Sequence, residues 1–194
     1  MLIEIPGIPI GKKRPQFTNL FGRCGHCKKI TILKRGACPT CGGFLMPMPR
    51  AHKDPEEATA EGKWILMAQQ QVQGPPLEGP VVMLAQFLMP MPKSTPKRMA
   101  RFILDGGIEI HEKKPDLDNL EKFAKDCLNG LAWKDDSQVG IVLKFKYYAI
   151  APRTVLIIET VKSFDFQTII PILDRLENGL RKEEACSQRK LLEA

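Results

Sequence analysis

No stretch of this sequence is apolar enough to cross a bilayer. Its longest apolar segments, Val81 to Met89 and Val139 to Ile150, carry polar residues and fall short of the ~20 apolar residues a spanning helix needs. MLIEIPGIPIG lacks a basic leader ahead of an apolar core, so it reads as a strand, not a signal peptide, and the expected location is the cytoplasm. No internal repeat is apparent. Acids are in deficit, 22 against 29 lysines and arginines, giving a net charge of +7 and a sequence pI near 9.1. That excess draws a chain toward polyanions, nucleic acid first, although it also serves solubility alone. What remains is ordinary: 194 residues, 43% apolar, 26% charged and 7% aromatic exclude wholesale disorder, collagen and coiled coil, and leave room for one main domain with a small insert or terminal element.

Four of the six cysteines fall into two pairs, Cys24-Gly-His-Cys27 and Cys38-Pro-Thr-Cys41. In a chain without a secretion signal, paired CxxC means metal before disulfide. Each pair sets two thiolates on one tight turn, and two turns close a tetrahedron, so Cys24, Cys27, Cys38 and Cys41 are the expected ligands of Zn²⁺. Four thiolates leave no open position, which makes the metal structural. The surrounding segment, about 21–46, is rich in glycine and short of large apolar residues, so it reads as an insert that a metal must staple. Its Lys28, Lys29, Lys34 and Arg35 suit a phosphate backbone or, equally, a solvated surface.

Along the rest of the chain, residues 1–10 and 81–89 read as strands. MPMPRAHKD reads as a proline-bearing connector, and Asp54, Pro55 and Glu57 as the capped start of a helix to about Val72. In residues 93–114 Thr95 and Pro96 could cap a short helix, but DGG at 105–107 reads as a turn, and a mobile, mostly exposed connection is expected. Leu120, Phe123, Ala124, Cys127, Leu128 and Leu131 recur at helical spacing and define a buried face, with Cys127 as a core thiol and Asn129-Gly130 as the stop. Val139 to Tyr148 alternates as a strand, and Arg153 to Val161 is expected to pair with it as a hairpin. Ile169, Ile172, Leu173, Leu176 and Leu180 suggest a helical tail over 163–194.

The second chemical constellation is Asp116-Leu-Asp118-Asn-Leu-Glu-Lys122, joined by Asp135-Asp136. Asp118 and Lys122 share a helical face, and Asp116 can join them only from the N-terminal cap. Taken alone these are equally an N-cap and a surface ion pair. Gathered carboxylates repel unless a cation binds, and hard oxygen ligands suit Mg²⁺, which keeps waters and accepts substrate phosphates. Metal-dependent phosphodiester cleavage needs that arrangement, with an ammonium such as Lys122 near the developing charge.

With its flanks, KKPDLDNLEKFAKDCLNGLAWKDDSQV, preceded by PGIPIGKKRPQF and PLEGPVVMLAQF, resembles the RusA family of Holliday junction resolvases. The resemblance spans residues 1–17 and about 50–161. It implies an α+β fold, a small mixed domain over 1–162 with a sheet of about four strands; the zinc-ribbon-like insert at 21–46 interrupts that domain and the helical extension over 163–194 follows it, neither belonging to the family's minimal form. It makes Asp116, Asp118 and Asp136 the metal-binding carboxylates, Lys122 the essential lysine and Asp135 a helper. It further implies a symmetric homodimer that requires Mg²⁺ and nicks two opposed strands of a four-way DNA junction. A twofold dimer suits such a substrate. Lys12, Lys13, Arg14, Lys93, Lys97, Arg98, Arg101, Lys113 and Lys114 are then the expected DNA contacts. The rivals are a zinc-ribbon nucleic-acid-binding adaptor without catalysis, and a general flap or fork nuclease.

Overall fold

The computed structural model describes residues 1–33, 37–52, 54–161 and Ile170. Apart from Ile170, the expected C-terminal helical extension lies outside the described residues. The chain divides into two units, one of residues 1–12 and 61–194, the other of residues 13–60.

The first unit is built on a four-stranded sheet of β1 (Leu2–Pro6), β5 (Val81–Pro90), β6 (Val139–Ala149) and β7 (Arg153–Thr160), in the order β1-β7-β5-β6. β7 runs antiparallel to both β1 and β5, whereas β5 and β6 are parallel. The expected hairpin between residues 139–148 and 153–161 is therefore wrong. β5 lies between them because its run VVMLAQFLM has no solvent face: every residue from Val81 to Met89 is buried, which puts the strand at the centre of the sheet. A parallel β5–β6 pair needs a long crossover, and the chain supplies it with α2 (Lys97–Leu104) and α3 (Leu117–Leu128).

The segment 93–114 is mostly exposed as expected, but α2 is the short helix that Thr95 and Pro96 allowed there, in place of an irregular connection. This helix is amphipathic and buries Ile103, and the chain then turns at Gly106, with a positive φ of 90°. At Gly107 a Cβ would lie 2.4 Å from the Phe102 ring, so a larger residue there would have to displace that half-exposed ring. Beyond it, Ile110 bridges to Tyr147 of β6.

The core lies between one face of the sheet and the helices. Ile3, Met83, Phe87, Leu156 and Ile158 meet Trp64 and Ala68 of α1 (Pro55–Gln69), together with Leu120, Phe123, Ala124, Cys127 and Leu128 of α3. The Trp64 and Phe123 rings meet edge to face at 6.3 Å, the arrangement aromatic quadrupoles favour. Every α3 residue buried here belongs to the helical spacing read from the sequence, and Cys127 is a core thiol as expected. Gly130, at φ 76°, ends the run after Asn129.

The second unit holds a three-stranded antiparallel sheet, β2 (Gln16–Cys24), β3 (Ile30–Ile32) and β4 (Leu45–His52), in the order β3-β2-β4. This sheet reaches well beyond residues 21–46. The proline-bearing connector is in fact β4, which pairs with β2 from Cys24↔Leu45 to Gln16↔His52 across one bulge. Pro47 and Pro49 are tolerated because β4 is an edge strand and they alternate. The Phe44 carbonyl accepts from the Gly25 N–H at 3.0 Å, so even-numbered residues face β2 and both proline nitrogens face away. Asp54 caps α1, its Oδ1 accepting from the Glu56 and Glu57 N–H groups at 2.9 and 3.3 Å.

Candidate active site and metal centre

The cysteines sit on two turns with the same hydrogen-bond pattern. The Lys28 N–H donates to the Cys24 carbonyl and the Gly42 N–H to the Cys38 carbonyl, while the Cys24 and Cys38 N–H groups donate to the carbonyls of Lys29 and Gly43. Lys28 and Gly42 both take positive φ, 60° and 72°, the conformation that reverses the chain just after each second cysteine. At Gly43 a Cβ would lie 3.1 Å from the Cys24 Sγ, a tighter contact than side chains ordinarily make. All four sulfurs lie within 4.8 Å of one another. Cys24 and Cys41 are 3.4 Å apart, and Cys27 and Cys38 3.6 Å. A tetrahedron with Zn–S bonds of about 2.3 Å sets sulfurs about 3.8 Å apart, so the donor set fits zinc, and these separations are far too long for disulfides.

Backbone N–H groups favour two of the thiolates. The Thr40 N–H beside Cys38 lowers its thiol to about 6, and the Cys27 N–H lowers that of Cys24. Cys27 receives the Lys29 N–H, yet burial and the three neighbouring sulfurs push it up to about 11. Crowded thiolates repel one another, and a cation among them relieves that repulsion. His26 stays exposed.

The acidic group lies on the other unit. Asp116 is the N-cap residue of α3, extended at φ −68° and ψ 146°, and its carboxylate makes no capping bond. Its carbonyl accepts from the Leu120 N–H at 3.1 Å. The approach to the helix is fixed from two sides. Lys146 of β6 donates to the carbonyls of Lys113 and Pro115 at 2.8 and 2.9 Å. On the other side Gly11 passes so close that a Cβ there would lie 2.8 Å from the Pro115 Cβ, and the Lys12 N–H donates to the Asn119 carbonyl at 2.9 Å.

Asp118 follows on the first turn, exposed, but its ion-pair partner is Lys144 of β6 and not Lys122. Lys144 also binds Glu121 at 2.5 Å, and Glu121 pairs with Lys125 at 3.4 Å. The Lys144 ammonium holds the Asp118 carboxyl below the usual range. Burial opposes the charge on Lys144, yet its bonds to Asp118 and Glu121 raise it overall. Lys122 is exposed on the next turn, and neither it nor Asp116 has a side-chain partner among the described residues.

Asp135 and Asp136 divide their tasks. Asp135 accepts from the Ser137 N–H at 2.9 Å, and Gln138 reaches back to the Asp135 N–H at 3.1 Å, closing a capping box around the short 3-10 turn Asp136–Gln138. The Ser137 hydroxyl, then its N–H, hold the Asp135 carboxyl below the usual range. Asp136 is exposed and unpartnered among the described residues. Among those residues the four thiols are the group gathered tightly enough to hold an ion; the side chains of Asp116, Asp118 and Asp136 do not close into such a group within one chain. As hard, exposed oxygen donors they are chemically suited to a cation that retains water.

The basic residues differ in availability. Lys93, Lys97, Arg98, Lys113, Lys114 and Arg14 are exposed. Lys12 is committed to Asp126, Lys13 to Asp54 and Glu56 at 3.2 Å, and Arg101 to Asp105 at 3.2 Å.

Sequence reasoning missed Lys144, Lys146 and His111. The signal for the lysines lay in β6, where alternation leaves both on the face opposite Ile141, Leu143 and Phe145, an unusual place for two cations unless something anionic meets them. His111 is buried against the Tyr148 ring, centroids 4.7 Å apart, and burial, then the charge on Lys146, lowers its pKa.

A family model described as endodeoxyribonuclease RusA matches residues 40–159. The match takes in α1, the acidic helix and the Asp135-Asp136 turn; it begins inside the cysteine segment and leaves out β1. An uncharacterized protein of Bacillus subtilis (strain 168), YqaN, is 38% identical over 88 residues, which make up 45% of this chain and 62% of that relative. The chain thus covers less than two thirds of the relative it matches.

Proposed function

Since the chain belongs to the RusA family of endodeoxyribonucleases, we propose that it resolves four-way DNA junctions in recombination and repair, as a Mg²⁺-dependent homodimer that nicks two opposed strands. The observation that carries this reading is the start of α3. Among the described residues Asp116 and Lys122 are exposed and without a side-chain partner, and they flank Asp118 in sequence on a helix whose entry is clamped by Lys146 and Gly11. Side chains serving only to cap or solvate a helix would not call for so rigid a base.

In this reading Asp116, Asp118 and Asp136 hold Mg²⁺, which when bound screens the phosphate and lowers the pKa of a water. Lys122 sets an ammonium against the charge that develops on the phosphate. Lys144 orients the Asp118 carboxylate, and Asp135 fixes the turn that presents Asp136. Lys93, Lys97, Arg98, Lys113 and Lys114 supply phosphate contacts that set register without reading sequence. Zn²⁺ on the four cysteines is structural. No helix among the described residues is long and apolar enough to cross a membrane, and we place the enzyme in the cytoplasm with its DNA.

The test is cleavage of a labelled four-way junction beside a linear duplex and a flap of matching sequence, with Mg²⁺ or EDTA, for wild type and Asp118→Asn, with binding followed in parallel. Symmetric Mg²⁺-dependent nicks in the junction alone, lost in a variant that still binds, are expected. Binding without cleavage would replace the enzyme with an adaptor, and equal cutting of flaps would broaden it to a branch nuclease.

A further inference from the structure

The cysteine module holds the positive charge of this protein. Between Lys13 and Lys53 there are nine lysines and arginines and no aspartate or glutamate, more than the net +7 of the whole chain. Four thiolates around a divalent cation would remove about two of those charges, and the excess remains large.

The module also turns apolar side chains outward. Alternation along β2 puts Phe21 and Arg23 on the face opposite Cys24. Phe21 stands between Ile32 and Met48, and Arg23 between Ile30 and Met46. Ile30, Ile32 and Met46 are 55%, 51% and 46% exposed. Arg50, two residues along from Met48, lays its guanidinium over the Phe21 ring at 4.8 Å from the centroid. The result is an aliphatic and aromatic strip flanked by two arginines, on the side of the sheet away from the sulfurs.

Exposed apolar surface of this kind marks a docking site, and the single sign of charge around it selects a polyanion. Duplex DNA offers such a strip phosphates, sugars and groove edges but no base faces, because its bases are stacked. At a branch the stack is interrupted, and apolar side chains can lie against the opened bases while arginines neutralise the flanking phosphates. We propose that this outer face binds DNA at the branch point, with Ile30, Ile32, Met46 and Phe21 against unstacked bases and Arg23 and Arg50 on phosphates. The proposal rests on the family reading of DNA as substrate and adds which part of the molecule meets the branch.

The experiment uses the full chain with Ca²⁺ in place of Mg²⁺, so that binding is read without cleavage. The probes are a four-way junction carrying 2-aminopurine beside the crossover and a linear duplex of the same sequence. Wild type should prefer the junction and raise the 2-aminopurine fluorescence. Ile30→Ser with Met46→Ser should abolish that rise and cut the preference for the junction at least tenfold. Arg23→Gln with Arg50→Gln should weaken binding to both DNAs and make the salt dependence shallower by about 1.8 in log–log slope. Zinc content at the wild-type ratio certifies that each variant keeps the module folded. Zinc-replete variants that bind, discriminate and light the probe as wild type does would overturn the proposal, even if wild type still nicks junctions. Failure of wild type to bind any DNA would remove the family reading with it.

Discussion

Among the described residues the four-stranded unit buries eighteen side chains in one cluster, whereas the cysteine module's cluster holds three, two of them thiols. The contrast extends to charge, since residues 13–53 hold nine lysines and arginines and no acid, while the remainder of the sequence is slightly acidic. A sheet too small to enclose a core can be stabilised by metal ligands instead, and its apolar residues are then left for the outer surface. The larger unit holds its sheet by packing and can keep carboxylates exposed at a helix start.

The sharpest way to break the comparison is to remove the metal. Zinc in small Cys₄ modules is bound with roughly 10 kcal/mol or more. Chelation should therefore open β2 to β4 to fast amide hydrogen exchange while the near-ultraviolet signal of Trp64 and Trp133 persists; simultaneous loss of both would mean the units are not independent. The reverse lesion is Phe123→Ala, which should destabilise the packed unit by about 3–5 kcal/mol in denaturant melts and leave zinc affinity unchanged. Asp118→Asn should lower junction nicking on the order of a hundredfold or more in single-turnover assays without loss of zinc or of DNA affinity. The smallest effect concerns pH. Lys144 lowers the Asp118 carboxyl in the folded state, so the pair's contribution is present above the ordinary aspartate value of about 3.9 and is lost as pH falls through the folded value. In Lys144→Gln the Asp118 carboxyl should return upward toward that value in an NMR titration. An unmoved titration would mean the pair is not formed in solution.

The sequence carried the packed unit well because its signals are local. Helical spacing located α3, and a run without polar alternation located β5. The order of the strands was not legible, since whether Arg153 to Thr160 pairs with β6 or β5 depends on which strand is buried on both faces. That the four cysteines gather in one place was readable from spacing alone. β4 was not, because two prolines argue against a strand until it is known to be an edge. At the acidic helix the residue types were plain, but the partner of Asp118 comes from a strand 26 residues away, and helical periodicity points only to Lys122.

The alternating prolines of β4 have a consequence for copies of the protein crowded on one DNA molecule. With the ring nitrogens of Pro47 and Pro49 turned outward, that edge has no N–H to offer at those positions, and a neighbouring strand cannot zip onto it. Modules brought side by side on adjacent arms would stay separate, and the face of the sheet, not its rim, would be left to make contacts.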